Sequence, residues 1–137
     1  MNKIEMDLKR PFAIGKLKWR QGGGGKELVY ITARDVMDRL DEATEGYWTS
    51  EYKEIKGNLF CGISILLDGE WITKSDGADD SHIEGAKGGI SDALKRAAVQ
   101  YGIGRYLYHP NAFDSNKNPA EWATPEGYDK LMEKRNG

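Results

Sequence analysis

The run Leu59-Phe60-Cys61-Gly62-Ile63-Ser64-Ile65-Leu66-Leu67-Asp68-Gly69-Glu70-Trp71-Ile72-Thr73-Lys74 decides the fold. Nine mostly apolar residues lead into Asp68-Gly69. Both positions of a two-residue hairpin turn need positive φ, which this pair tolerates. The run therefore reads as a strand over residues 59–67, a tight turn, and a strand over 70–74. Residues 48–55 form a third strand candidate, joined through a turn at Lys56-Gly57-Asn58. Together they predict an antiparallel meander. Its central strand is apolar on both faces and calls for a cover.

The cover lies downstream. Ile83, Ala86, Ile90, Ala93, Leu94, Ala97, Ala98 and Tyr101 recur at three- and four-residue steps, the apolar face of a long helix that Gly102 and Gly104 end. Its opposite face carries Lys87, Ser91, Asp92, Lys95, Arg96 and Gln100. Upstream, residues 26–31 are strand-like. A helix starts at Thr32, whose hydroxyl can cap it, with Asp35 near the positive helix end. Ala33, Val36, Met37, Leu40 and Ala43 mark its apolar face, and Gly46 ends it. Residues 1–20 read as an irregular arm, and Gly22 to Gly25 as a flexible loop. After His109-Pro110 the chain is loop-rich until Thr124-Pro125-Glu126 opens a short helix through Leu131. The expected class is α+β: an antiparallel three-stranded β-meander packed by a long helix (a β-β-β-α core), with an N-terminal arm and a short C-terminal helix. One domain over residues 1–137 is expected. It comprises an arm and glycine loop (1–25), a core (26–108) and a C-terminal loop and helix (109–137).

A chain of 137 residues is long enough for one core without a disulfide framework. The single cysteine, Cys61, falls in the apolar run, as a buried reduced thiol would. No stretch approaches the roughly 20 apolar residues of a membrane span, and residues 1–10 lack the apolar segment of a secretory signal. A cytoplasmic location in a bacterial host cell is expected, with no membrane partner.

The formal net charge of −2 argues against a polyanion partner, but its distribution does not. Residues 1–26 carry Lys3, Lys9, Arg10, Lys16, Lys18, Arg20 and Lys26 against Glu5 and Asp7. Residues 35–80 hold twelve acids and four bases, and residues 85–113 are basic again, with Lys87, Lys95, Arg96 and Arg105 against Asp92. A polyanion responds to such local fields rather than to the sum.

Catalytic motifs mostly fail. Gly25-Lys26 lacks the earlier glycine and the following hydroxyl of a phosphate-binding loop, since Arg20 and Glu27 stand there. Gly102-x-Gly104 lacks a third glycine and lies at a helix end. Asp76, Asp79, Asp80 and Glu84 form an acidic cluster. Ala78 and Ser81 exclude a calcium loop there. A nuclease-like magnesium site is the competing reading, against a solvated loop and helix start. Cys61, His82 and His109 have no metal-ligand spacing. No catalytic role, metal or cofactor is expected. On the long helix, Lys87, Ser91 and Lys95 align at four-residue steps, and such a row can meet successive phosphates. Pairing of Asp92 with Arg96 on a solvated face is the plainer alternative.

The block from Ser91 to Tyr108 resembles the signature helix of the Rad52 family of annealing proteins, especially its bacteriophage members. Residues 30–41, Trp48, Cys61-Gly62-Ile63, Gly69-Glu70-Trp71, Pro11-Phe12 and Lys18-Trp19-Arg20 match further blocks in order. The resemblance covers nearly the whole chain. It implies a homo-oligomeric ring or arc with single-stranded DNA in an outer basic groove, and strand annealing without ATP in recombination and double-strand break repair. By position it implies Lys95 and Arg96 at the groove floor and Arg34 on the preceding helix. Tyr47 falls near an aromatic contact position. Lys87, by helix geometry, and Arg105, from the basic segment, complete the candidate DNA-binding set. An exonuclease or a single-strand binding protein is a candidate further partner. Val99 stands where some relatives carry another basic residue, and the long recombinase-recruiting extension of those relatives is not matched, so the resemblance implies strand annealing rather than recombinase loading. The competing functions are the nuclease of the Asp76/Asp79/Asp80 cluster and an oligomeric assembly module that does not bind DNA. Phe12, Leu17 and Trp19 are candidates for packing between subunits or onto their own domain.

Overall fold

The computed structural model describes residues 2–78 and 86–136. At its centre is an antiparallel sheet of three strands in the order β3-β4-β5: Trp48–Ile55, Asn58–Leu67 and Glu70–Ala78. Lys56-Gly57 and Asp68-Gly69 make the two hairpin turns. All four residues have positive φ (52°, 84°, 50° and 82°), the backbone that the sequence pattern requires. Trp48 pairs with Ile65 and Leu59 with Ala78, so the register carries Cys61, Ile63 and Ile65 onto one face. All three are fully buried there.

The helix that covers them, α3 (Ala86–Val99), presents Ala93, Leu94, Ala97 and Ala98, all buried. Three small alanines let the helix axis come close to the sheet. Tyr101, just past the helix, locks the layers. Its hydroxyl lies 2.8 Å from the carbonyl oxygens of both Ile63 and Ile72, one on each of two strands, and its single proton is shared between them. Burial pushes its pKa up to about 12. The helix α2 (Ala33–Thr44) packs against α3 and begins with a full capping box: Thr32 accepts from the Asp35 backbone, and the Asp35 carboxylate accepts from the Thr32 backbone.

Several expectations need correction. The N-terminal arm is not irregular. It holds a helix, α1 (Lys3–Lys9), capped by the Asn2 side chain, and a strand, β1 (Lys18–Gln21). β1 pairs antiparallel with β2 (Glu27–Tyr30), and the glycine run forms a 3-10 turn between them. The sparse apolar content of the arm hid these short elements. β5 runs to Ala78 instead of stopping at Lys74, so Asp76 lies in a strand opposite Cys61 rather than in a loop. Asp79, Asp80, His82, Ile83 and Glu84 lie outside the described residues. Ile90 and Met37, assigned to apolar helix faces, are exposed, because each sits at the margin of its contact. The terminal helix, α4 (Pro125–Asn136), extends past Leu131.

The arm docks onto its own domain. Phe12 and Leu8 are buried in the core, Leu17 packs against it, and Trp19 meets Phe113 edge to face at 5.3 Å. Arg10 grips Asp129 of α4 through two hydrogen bonds of 3.0 and 2.8 Å, and the Tyr128 hydroxyl donates to the Met6 carbonyl. No described helix is long and apolar enough to cross a membrane.

Candidate nucleic-acid interface

A seam runs where α3, the start of α2 and the β1–β2 hairpin meet. Lys95 projects from α3 into this seam, half-buried. Its ammonium donates to the Ile31 carbonyl at 3.2 Å and lies 5.4 Å from the centroid of the Tyr30 ring. Burial lowers its pKa; Asp92 opposes that shift and Arg20 adds to it. Tyr30 also receives the Arg20 guanidinium, 5.8 Å away, so two cations share one aromatic ring. Tyr108, exposed, lines the same narrow slit as Tyr30 and Lys95.

Beside this slit, Arg34 on the first turn of α2 lines a shallow cavity of about 490 Å³ with Lys16, Lys18, Gly15, Thr32 and Asp35. Among the described residues, Lys16, Lys18, Arg20 and Arg34 have no carboxylate within ion-pair distance. Asp35 is occupied by the capping box. Four exposed cations left unpaired together repel one another, and an anion laid along them relieves that repulsion.

The other sequence candidates are placed differently. Arg96 pairs with Asp92 at 3.2 Å on the solvated face of α3, the plainer alternative raised by the sequence. Arg105 turns back onto the helix end, donating to the Val99 carbonyl at 3.0 and 2.7 Å and to the Gln100 carbonyl at 2.9 Å. It adds charged donors to carbonyls that also accept from the Gly102 backbone and the Lys74 ammonium. Tyr47 is exposed but lies past the far end of α2, beyond roughly 15 Å of helix from Arg34. Its cavity is lined with Asp7, Glu42, Glu45 and Asp68. Lys87 belongs to the first turn of α3, and its side chain is not among those described. The seam thus joins Lys95 and Arg34, and leaves Tyr47 apart.

Chain comparison adds the family. Residues 1–61 and 63–123 match the model of the Rad52/22 family of double-strand break repair proteins. The chain belongs to the Rad52 family. It is 31% identical to the single-stranded DNA-binding protein DdrA of Deinococcus deserti over 145 aligned residues, covering 92% of this chain and 72% of that protein. It is 30% identical to DdrA of Deinococcus radiodurans, covering 92% and 70%. Both relatives are bacterial; the bacteriophage kinship read from the sequence rests on the quoted blocks alone. Within this Rad52 family chain, the seam lies inside the matched residues.

Sequence reasoning passed over Lys16, Lys18, Arg20, Tyr30 and Tyr108 as site residues. The signal was present. Lys18 and Arg20 stand two apart, the spacing that puts side chains on one face of a strand, with Lys16 in the turn just before it. Reading the arm as irregular concealed it.

Proposed function

We propose that this protein binds single-stranded DNA along the seam and anneals complementary strands without ATP or a divalent ion, in recombination and double-strand break repair. The observation that carries the reading is the row of cations around Lys95 and Arg34, unpaired among the described residues, in a chain of the Rad52 family. That its relatives are named single-stranded DNA-binding proteins supports it.

The chemistry is sufficient for the task. Lysine and arginine contacts to phosphate give affinity independent of sequence, as a protein serving any break requires. Backbones held in a groove leave bases free to test pairing with a second strand. Pairing supplies the free energy, so no hydrolysis is needed. Arg96, Lys87 and Arg105 are secondary contacts in this reading. Arg96 becomes available when phosphate competes with Asp92. Tyr47 has no place beside the seam.

One domain offers a short groove, so a lone copy holds DNA weakly. Copies joined in a ring or arc turn each added contact into an intramolecular event. The edge strands β3 and β5 give the domain backbone surfaces through which copies can join.

The test is filter binding and annealing of mixed-sequence strands, with and without ATP and magnesium, beside mass photometry. Binding, annealing without either additive and a particle well above a dimer are expected. Replacing Arg34 and Lys95 together (R34A with K95Q) should weaken binding and flatten the salt slope by about 0.7 per lost contact. Absence of binding by the unmodified chain, or binding by the double variant with an unchanged slope, overturns the reading. Loss of a labelled strand in magnesium would favour the nuclease instead.

A further inference from the structure

The β1–β2 hairpin brings more to the seam than charge, because its register sets an aromatic and an aliphatic side chain beside the cations. In its register Lys18 stands opposite Tyr30 and Arg20 opposite Leu28. Cross-strand partners lie on the same side of a hairpin, so these four share one face. Trp19 and Val29 take the other, where Trp19 meets Phe113 edge to face. The inward side of the hairpin is therefore anchored, and the side bearing Lys18, Arg20, Leu28 and Tyr30 is presented outward. Lys18, Arg20 and Leu28 are exposed, Leu28 to 45%. Leu28 stands opposite Arg20 and two residues from Tyr30, so the face pairs apolar and aromatic surface with charge.

The face is continuous with the seam. Tyr30 is shared between Arg20 on the hairpin and Lys95 on α3, at 5.8 and 5.4 Å. Lys18 lines the Arg34 cavity from the hairpin side. By contrast, Arg96 and Arg105 already have partners.

We propose that this hairpin face is a second wall of the groove, with Lys18 and Arg20 on phosphates and Tyr30 and Leu28 against an unstacked base. The inference rests on the reading of the seam as a single-stranded DNA site. It assigns the hairpin the role of selecting single strands. A phosphate row alone is common to both forms of DNA, whereas an aromatic ring flanked by an aliphatic side chain takes a base only when it is free of its partner.

The experiment uses the full chain and a mixed-sequence oligonucleotide followed by fluorescence anisotropy over a range of salt. The variant K18A/R20A is compared with K130A/K134A, which removes the same charge from α4, away from the seam. The hairpin variant should bind at least about tenfold more weakly, with a salt slope flatter by about 1.4, two contacts at 0.7 each. The α4 variant should match the unmodified protein. A hairpin variant that matches the α4 variant, while R34A with K95Q weakens binding, overturns the inference and leaves the proposed function standing. No binding by the unmodified chain overturns both. A second measurement needs no variant. Light-induced crosslinking to a strand containing iodouracil should label the tryptic peptide of residues 27–34, whose one aromatic residue is Tyr30. Crosslinks confined to other peptides overturn the inference.

Discussion

The guanidinium carbon of Arg39 lies 4.0 Å from the centroid of the Phe12 ring, which ties the N-terminal arm to helix α2. The same guanidinium donates to the Leu8 carbonyl at 3.3 Å and to the Arg10 carbonyl at 2.5 Å. Burial lowers its pKa, and Arg10 adds to that shift. Arg39 thus holds two carbonyls where α1 ends and the aromatic anchor of the arm. Arg39→Met keeps the aliphatic bulk and removes all three interactions. Stability should fall by about 3 kcal/mol, the sum of a desolvated cation–π contact and charged hydrogen bonds. Urea denaturation measures it. A loss under about 0.5 kcal/mol would mean that the arm is held by its apolar contacts alone.

Tyr101 makes stability depend on alkaline pH. Unfolded tyrosine ionises near 10, whereas the folded hydroxyl stays protonated to about 12. A raised folded pKa gives stability that is whole below pH 10 and drains away as pH rises toward 12. Two units in this buried group correspond to about 3 kcal/mol. Tyr52, whose pKa is also pushed up to about 12, chiefly by burial, titrates over the same window. Tyr101→Phe should cost about 1 kcal/mol at neutral pH through the lost hydroxyl, and its stability should fall less steeply above pH 10. Denaturation curves at stepped pH decide it; equal slopes for the two proteins would exclude Tyr101 as the source.

Lys95 should make DNA binding sensitive to pH. Burial lowers its pKa, so its charge is lost before that of an ordinary lysine as pH rises. Affinity for single-stranded DNA should therefore begin to decline with rising pH before the usual lysine range is reached. Lys95→Arg keeps the charge throughout and should hold affinity further into that range. A pH profile unaltered by the substitution would place the titrating group elsewhere.

Arg105 and Arg96 should separate by what they stabilise. Arg105 ties down two carbonyls at the end of α3 with three hydrogen bonds, whereas Arg96 joins a half-exposed i, i+4 pair. Arg105→Ala should lower stability by about 1 kcal/mol, and Arg96→Ala by no more than about 0.5. Thermal melts of the two variants measure the difference. Equal losses would remove the capping role from Arg105.

The sheet and α3 were readable because burial leaves a repeating mark. The apolar run of β4 and the Asp68-Gly69 turn fix register locally, and the helix face of Ala93, Leu94, Ala97 and Ala98 repeats over several turns. α1 and β1 leave little such mark. They are short, and what anchors this segment includes contacts distant in sequence such as Arg10 with Asp129, 119 residues apart. The candidate site followed the same rule. Lys95 and Arg34 were reachable by position on long helices. Tyr30 became visible only when the hairpin register set it against Lys18 and Arg20. Gly104 marked the turn, but the fold-back of Arg105 onto the Val99 and Gln100 carbonyls leaves no repeating pattern in the sequence.

Cys61 sits at the middle of the central strand with none of its surface exposed, and it is the chain's single cysteine. Burial also raises its thiol pKa, so the reactive thiolate is scarce in the closed sheet. A thiol reagent can therefore react at an appreciable rate only through openings that separate β4 from α3. The protein carries its own stopwatch for such openings, at a position that no engineering had to choose. Labelling rates with and without a bound oligonucleotide would time how often the layers part, and whether a ligand on the far side of the helix slows the clock.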